Sequence, residues 1–182
     1  MAGPSKPPQY AVVSYVRNSV GHFVEDLRRE LYPEHGHLPA HVTVLPPRYL
    51  KGTEEEAKAL LQGHLHAVET FQIQMGHVET FIPTTPTVFL RVARHAHRFR
   101  ELHEDLNIGP FHCSEQWPYM PHLTIVKMPE IREAEQAAAV ARERWERYHG
   151  HKTADITDFT FVRESSDHHW IDLATYSLKP GK

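Results

Sequence analysis

One cysteine, Cys113, stands in a chain of 182 residues. No disulfide can form within it, and a reducing compartment, the cytoplasm, is the expectation. No apolar run approaches the roughly 18 residues that mark a membrane-spanning helix, so no membrane partner is expected. Neither charge dominates: 20 Lys and Arg face 23 Asp and Glu, a net charge of −3 with His neutral. A protein that grips long nucleic acid carries a basic stripe. None is visible here, so any RNA partner is expected to offer a terminus or a small fragment. The first nine residues, MAGPSKPPQ, hold no apolar stretch of signal-peptide type. They read as a short disordered tail ahead of one domain over 10–182, long enough to bury a core and expected to act as a monomer.

What the chain has in excess is histidine, 16 in all. Three of them open a His-x-Thr string. With 12 Thr in the chain about one such string is expected by chance. His151-Lys152-Thr153 has a charged centre and leads into no apolar run, so it is assigned to chance. His41-Val42-Thr43 and His122-Leu123-Thr124 differ from it. Each has a Pro just upstream, Pro39 or Pro121, and each continues into aliphatic and β-branched residues as HVTVL and HLTIV.

Periodicity places both strings. Residues 10–16 read as a strand, and 19–32 as a helix with Val20, Phe23, Val24, Leu27 and Leu31 on one stripe. His41–Leu45 reads as a strand stopped by Pro46-Pro47. A helix opens at Thr53 with Glu56 three residues on, a capping box. Strands are expected at 70–82 and 86–93, and a helix at 95–107. His122–Val126 is the next strand, followed by a helix at 130–149 and closing strands at 156–163 and 169–178. The order, βαβαβ then βαβαββ, suggests approximate repeats over 10–83 and 86–178. It also suggests an α+β protein whose sheets are covered by helices.

On a strand, residues i and i+2 share a face about 6.6 Å apart at about 3.3 Å per residue. On a helix they would diverge by about 200°. The strand reading therefore puts His41, Thr43 and Leu45 on one face, and His122, Thr124 and Val126 on one face of the other. Two such strands across a groove present two imidazoles and two hydroxyls to one phosphate. Breaking a phosphodiester needs a base for the attacking oxygen and an acid for the leaving oxygen, and imidazole serves either at neutral pH. Hydroxyls can donate to the non-bridging oxygens as charge builds there. The scheme calls for no metal and no cofactor.

With these two strings, their wide separation, the approximate repeat and the stretch PYMPHLTIV, the chain from Tyr10 to Leu178 resembles the two-histidine (2H) phosphoesterase superfamily, close to the 2'-5' RNA ligase-like proteins. The resemblance implies a bilobal, pseudo-symmetric α+β fold with the active groove between two antiparallel sheets. It implies a metal-independent hydrolase of 2',3'-cyclic phosphates or 2'-5' phosphodiesters in RNA ends and nucleotides. His41 and His122 become the acid–base pair, acid at His41 and base at His122, with Thr43 and Thr124 on the phosphate. Ligation of 2'-5' RNA ends shares the transition-state geometry and stays open, as does a binding module that retains the groove without turnover.

Other residues are weighed beside these. Trp117 and Tyr119 could stack on a base or pack as loop aromatics. Arg48, Arg91, Lys127 and Arg163 are possible phosphate partners but read better as solvated surface, and Lys127 has the wrong parity for the His122 face. The pairs His35/His37, His64/His66, His95/His97, His149/His151 and His168/His169 invite a metal reading. No His-Glu-x-x-His motif occurs among them, so no metal site is expected. His112-Cys113 does not read as a nucleophile pair.

Overall fold

The computed structural model describes residues 6–165 and 169–181. Residues 1–5 of the expected tail, and His168 of the His168/His169 pair, lie outside the described residues. The elements run in the order Tyr10–Tyr15 (β1), Ser19–Leu31 (α1), His41–Arg48 (β2), Glu54–Leu65 (α2), Phe71–Thr80 (β3), Thr87–Arg94 (β4), Ala96–Leu106 (α3), His122–Lys127 (β5), Ile131–Glu146 (α4), Thr153–Ile156 (β6), Asp158–Glu164 (β7) and Trp170–Ser177 (β8).

Local chemistry accounts for the helix starts. The Asn18 side chain accepts from the backbone N–H groups of Val20 and Gly21 to open α1. Thr53 and Glu56 form the expected capping box of α2. The apolar stripes of the four helices bury into one core with Val42, Val44, Leu123 and Ile125 of the sheet. Ala11, Val13 and Val162 form a second, small apolar cluster apart from that core.

The described strands make one eight-stranded sheet, ordered β6-β3-β4-β5-β2-β1-β7-β8. All neighbouring strands run antiparallel. The two sheets expected of the fold are thus two four-stranded halves of one sheet. They join where β2 meets β5, through the single registered pair Val42↔Leu123. That pair is the middle of both His-x-Thr strings. Carried on by one residue, this register sets His41 opposite Thr124 and Thr43 opposite His122.

Three local expectations are corrected. Pro46-Pro47 does not stop β2, which runs on to Arg48. Val12 pairs with Leu45 and Tyr10 with Arg48, so the prolines occupy a bulge, where a residue without an N–H is tolerated. The expected strand 156–163 is β7, starting at Asp158, and its first residue, Ile156, instead ends the unexpected strand β6; β6 pairs with β3 and β7 with β1, in opposite halves of the sheet. Finally, Leu45 and Val126 do not share the face of the motif residues. Val12 pairs with Leu45 but Val13 with Thr43, and Val88 pairs with Val126 but Phe89 with Thr124. Each motif strand therefore carries one extra residue directly after its threonine, Val44 in β2 and Ile125 in β5. The bulge turns the next side chain inward, and Leu45 and Val126 are buried.

Candidate active site

The bulges fix how the motifs are presented. In both strands the middle residue, Val42 or Leu123, is fully buried, while His41, Thr43, His122 and Thr124 are half-buried on the opposite face. The Nδ1–H of His41 donates to the Pro39 carbonyl at 2.8 Å. The Nδ1–H of His122 donates to the Met120 carbonyl, also at 2.8 Å. A carbonyl only accepts, so each ring is held in the tautomer that leaves Nε2 to meet a substrate. Among the described residues the hydroxyls of Thr43 and Thr124 make no hydrogen bond to the protein.

The surroundings favour neutral rings. Burial lowers the pKa of His41, the Pro39 carbonyl opposes that, and the charges of Arg28 and His122 lower it further. Burial lowers the pKa of His122 against the opposing Met120 carbonyl. The pairing of Val42 with Leu123 sets the two rings on adjacent strands at the centre of the sheet. Phe81 and Phe89 flank His122 at centroid distances of 5.0 and 5.1 Å. Tyr15 meets His41 edge-on at 6.4 Å.

Each imidazole opens onto its own cavity. One of about 350 Å³ is lined by His41, Thr43, Tyr15 and Trp170, among others. Another of about 460 Å³ is lined by His122, Thr43, Phe81, Trp117 and Tyr119, among others. Trp117 is 61% exposed on its rim. Tyr119 is engaged on one face, stacked on His103 at 4.0 Å, and its hydroxyl donates to the Thr43 carbonyl at 2.7 Å.

Two buried supports behind the motifs were not singled out in the sequence. Arg28 of α1 donates to the carbonyls of Ile125, Thr124 and Leu38. It ties the second motif strand to the segment leading into the first. His103 of α3 has one ring nitrogen on the Val44 carbonyl at 2.7 Å and the other on Glu115 at 2.8 Å. Periodicity held the signal for both. Arg28 lies four residues after Val24, and His103 four after Phe99, so both sit on apolar stripes where a polar side chain needs a buried partner.

The basic candidates separate. Arg48 is not solvated surface: it is 3% exposed and donates to Asn107, Glu115 and the carbonyls of Pro46 and Phe111. It braces the loop that carries Trp117. Lys127 is exposed, as expected of solvated surface, and lines a small cavity with His41, Thr124 and Val126. Arg91 pairs across the strands with His122 and lies 3.4 Å from Glu79. Arg163 is paired with Glu54. The ring nitrogens of His64 and His66 bond backbone carbonyls one turn back. Among the described residues no group of three or more His, Cys, Asp or Glu is placed to hold a metal ion.

With this geometry in view, the comparisons with known proteins agree. A model of the 2'-5' RNA ligase superfamily matches residues 16–168, and the chain belongs to that superfamily. A relative in Halalkalibacterium halodurans, provisionally named a phosphoesterase, is 30% identical over 127 residues, 67% of this chain and 64% of its own. One in Oceanobacillus iheyensis, named likewise, is 24% identical over 176 residues, 93% of this chain and 98% of its own. Among solved structures, Escherichia coli LigT complexed with NADP+ matches with a TM-score of 0.62 at 17% identity, covering 96% of this chain and 99% of that one. Kluyveromyces marxianus Usb1 matches at 0.52 and 10% identity, covering 93% and 99%. These likenesses show the same fold.

Proposed function

We propose that this protein is a phosphoesterase that opens a 2',3'-cyclic phosphate or a 2'-5' phosphodiester at an RNA end or in a small nucleotide, with His41 and His122 as its acid–base pair. The observation that carries the reading is the matched presentation of the two motifs. Two imidazoles, each locked through Nδ1 to the carbonyl two residues upstream, lie on one face with two threonine hydroxyls. LigT, which shares this fold, has been solved complexed with ATP, with 3'-AMP and with phosphate.

In the proposed reaction His122 takes the proton of the attacking oxygen as the new P–O bond forms. His41 gives a proton to the leaving oxygen as the old bond breaks. Thr43 and Thr124 donate to the non-bridging oxygens, where negative charge grows. Arg28 disfavours the imidazolium at His41, which makes that ring the stronger proton donor whenever it is protonated. Reversal exchanges the roles. One chain supplies both motifs, so we propose that it acts as a monomer. With a single cysteine, the cytoplasm is the proposed compartment.

The test is hydrolysis of adenosine 2',3'-cyclic phosphate in EDTA by wild type, His41→Ala and His122→Ala. Wild type is expected to turn over, and each substitution to lower kcat by about 10²–10⁴-fold. A p-nitrophenyl leaving group, which needs no proton, should restore His41→Ala and not His122→Ala. Wild type that binds 3'-AMP without turning over the cyclic phosphate would leave a binding module instead.

A further inference from the structure

Arg28 is a buried cation with no counter-ion beside it. A guanidinium offers five N–H groups, and three of them donate to the carbonyls of Ile125, Leu38 and Thr124. Two remain beyond those bonds. Among the described residues no carboxylate lies within ion-pair distance of Arg28. Glu25 is near enough to favour the charge, but its Oε1 accepts the backbone N–H of Ala40 at 2.8 Å. Arginine is rarely buried unless it is paired. Carbonyl dipoles solvate the charge without supplying the opposite one, and burial works against it.

Arg28 borders a small cavity of about 150 Å³. Lys127, His35, His41 and Thr124 line it as well, and among the described residues no Asp or Glu does. Lys127 is exposed and, among the described residues, stands in no ion pair. The cavity meets the groove at His41 and Thr124, next to the place proposed for the reacting phosphate. It is separate from the two larger cavities, which neither Arg28 nor Lys127 lines. Its volume is several times the roughly 30 Å³ of a water molecule. It is well below the roughly 300 Å³ at which pockets for drug-sized ligands begin. A small oxyanion fits those limits and a nucleoside does not. Two cations with free donors suit the oxygens of a phosphate group, all of which accept.

We propose that this cavity is a second phosphate subsite, held by Arg28 and Lys127 beside the reacting phosphate and distinct from it. The proposal rests on the placement of the reacting phosphate given above. The ligand is a phosphate group, either free in solution or carried by a nucleotide as its second phosphate. Its charge offsets that of Arg28, which otherwise disfavours the imidazolium at His41.

The test is the melting temperature of the full chain in sodium phosphate, read against sodium chloride of equal ionic strength, with and without saturating 3'-AMP. Phosphate is expected to raise the melting temperature further when 3'-AMP already saturates, because the second subsite is still open. Lys127→Ala should weaken that phosphate binding by about threefold to fivefold, and Lys127→Arg should restore it. Adenosine 3',5'-bisphosphate separates the two sources. If it stabilises more than 3'-AMP and phosphate then adds nothing, the subsite takes the nucleotide's own second phosphate. If it only matches 3'-AMP and phosphate adds to both, the subsite takes free phosphate. No gain from phosphate or from the bisphosphate over 3'-AMP, or a gain that Lys127→Ala leaves intact, overturns the subsite and leaves the phosphoesterase reading standing. A phosphate gain lost in Lys127→Ala, in a protein that 3'-AMP does not stabilise, keeps the subsite and overturns the placement of the reacting phosphate instead.

Discussion

At the scale of the residue, the site depends on how each imidazole is held. Both histidines titrate below the ordinary imidazole value of about 6.5. The folded protein therefore binds these protons less readily than the unfolded chain does. Their contribution to stability is fully present above about pH 6.5 and is lost as pH falls through the folded values. Melting curves taken from about pH 7.5 down to about pH 5 should show a steeper loss in wild type than in the His41→Ala/His122→Ala double variant. A pair that needs one neutral and one charged ring also predicts a bell-shaped kcat/KM profile, with both limbs displaced to the acid side of about pH 6.5. Arg28→Met, which strips the donor from three carbonyls, is expected to cost at least about 2 kcal/mol in urea denaturation. It should also lower kcat, because it frees the second motif strand from the segment before the first. Tyr119→Phe tests the parallel brace on Thr43, with an expected loss of about 1 kcal/mol.

At the scale of the element, the strands and helices were legible where one physical signal acted alone. The apolar stripe of α1 and the capping box at Thr53 stand as read. The motif strands begin where their β-branched runs begin. What simple alternation missed are the bulges after Thr43 and Thr124, because a bulge changes parity without changing residue type. Alternation alone puts Leu45 and Val126 on the groove face, and the bulges bury them instead. Pro46-Pro47 likewise reads as a stop when it is an accommodated irregularity. The division between β6 and β7 carries no Gly or Pro to announce it. The bulge at Ile125 leads to an expected contrast. Ile125→Val should cost about 1 kcal/mol and keep activity. Deleting Ile125 should abolish activity by returning Val126 to the groove face, with both effects read from denaturation curves and initial rates.

At the scale of the whole molecule, the chain's two similar stretches are not its two half-sheets. β3 belongs to the half that holds β4 and β5, and β7 and β8 return to the half that holds β1 and β2. Interleaving of this kind leaves no local mark, since each strand is read without its partner. The two motif strands nonetheless lie side by side at the centre of the sheet, with a cavity on each flank. The central claim is that one phosphate sits between two imidazoles. Histidine ¹⁵N and ¹H NMR across pH, with and without 3'-AMP, measures it directly. The account predicts that the ligand raises the pKa of His41 and His122 together while both Nδ1–H bonds persist. A ligand that shifts only one ring, or neither, would contradict it.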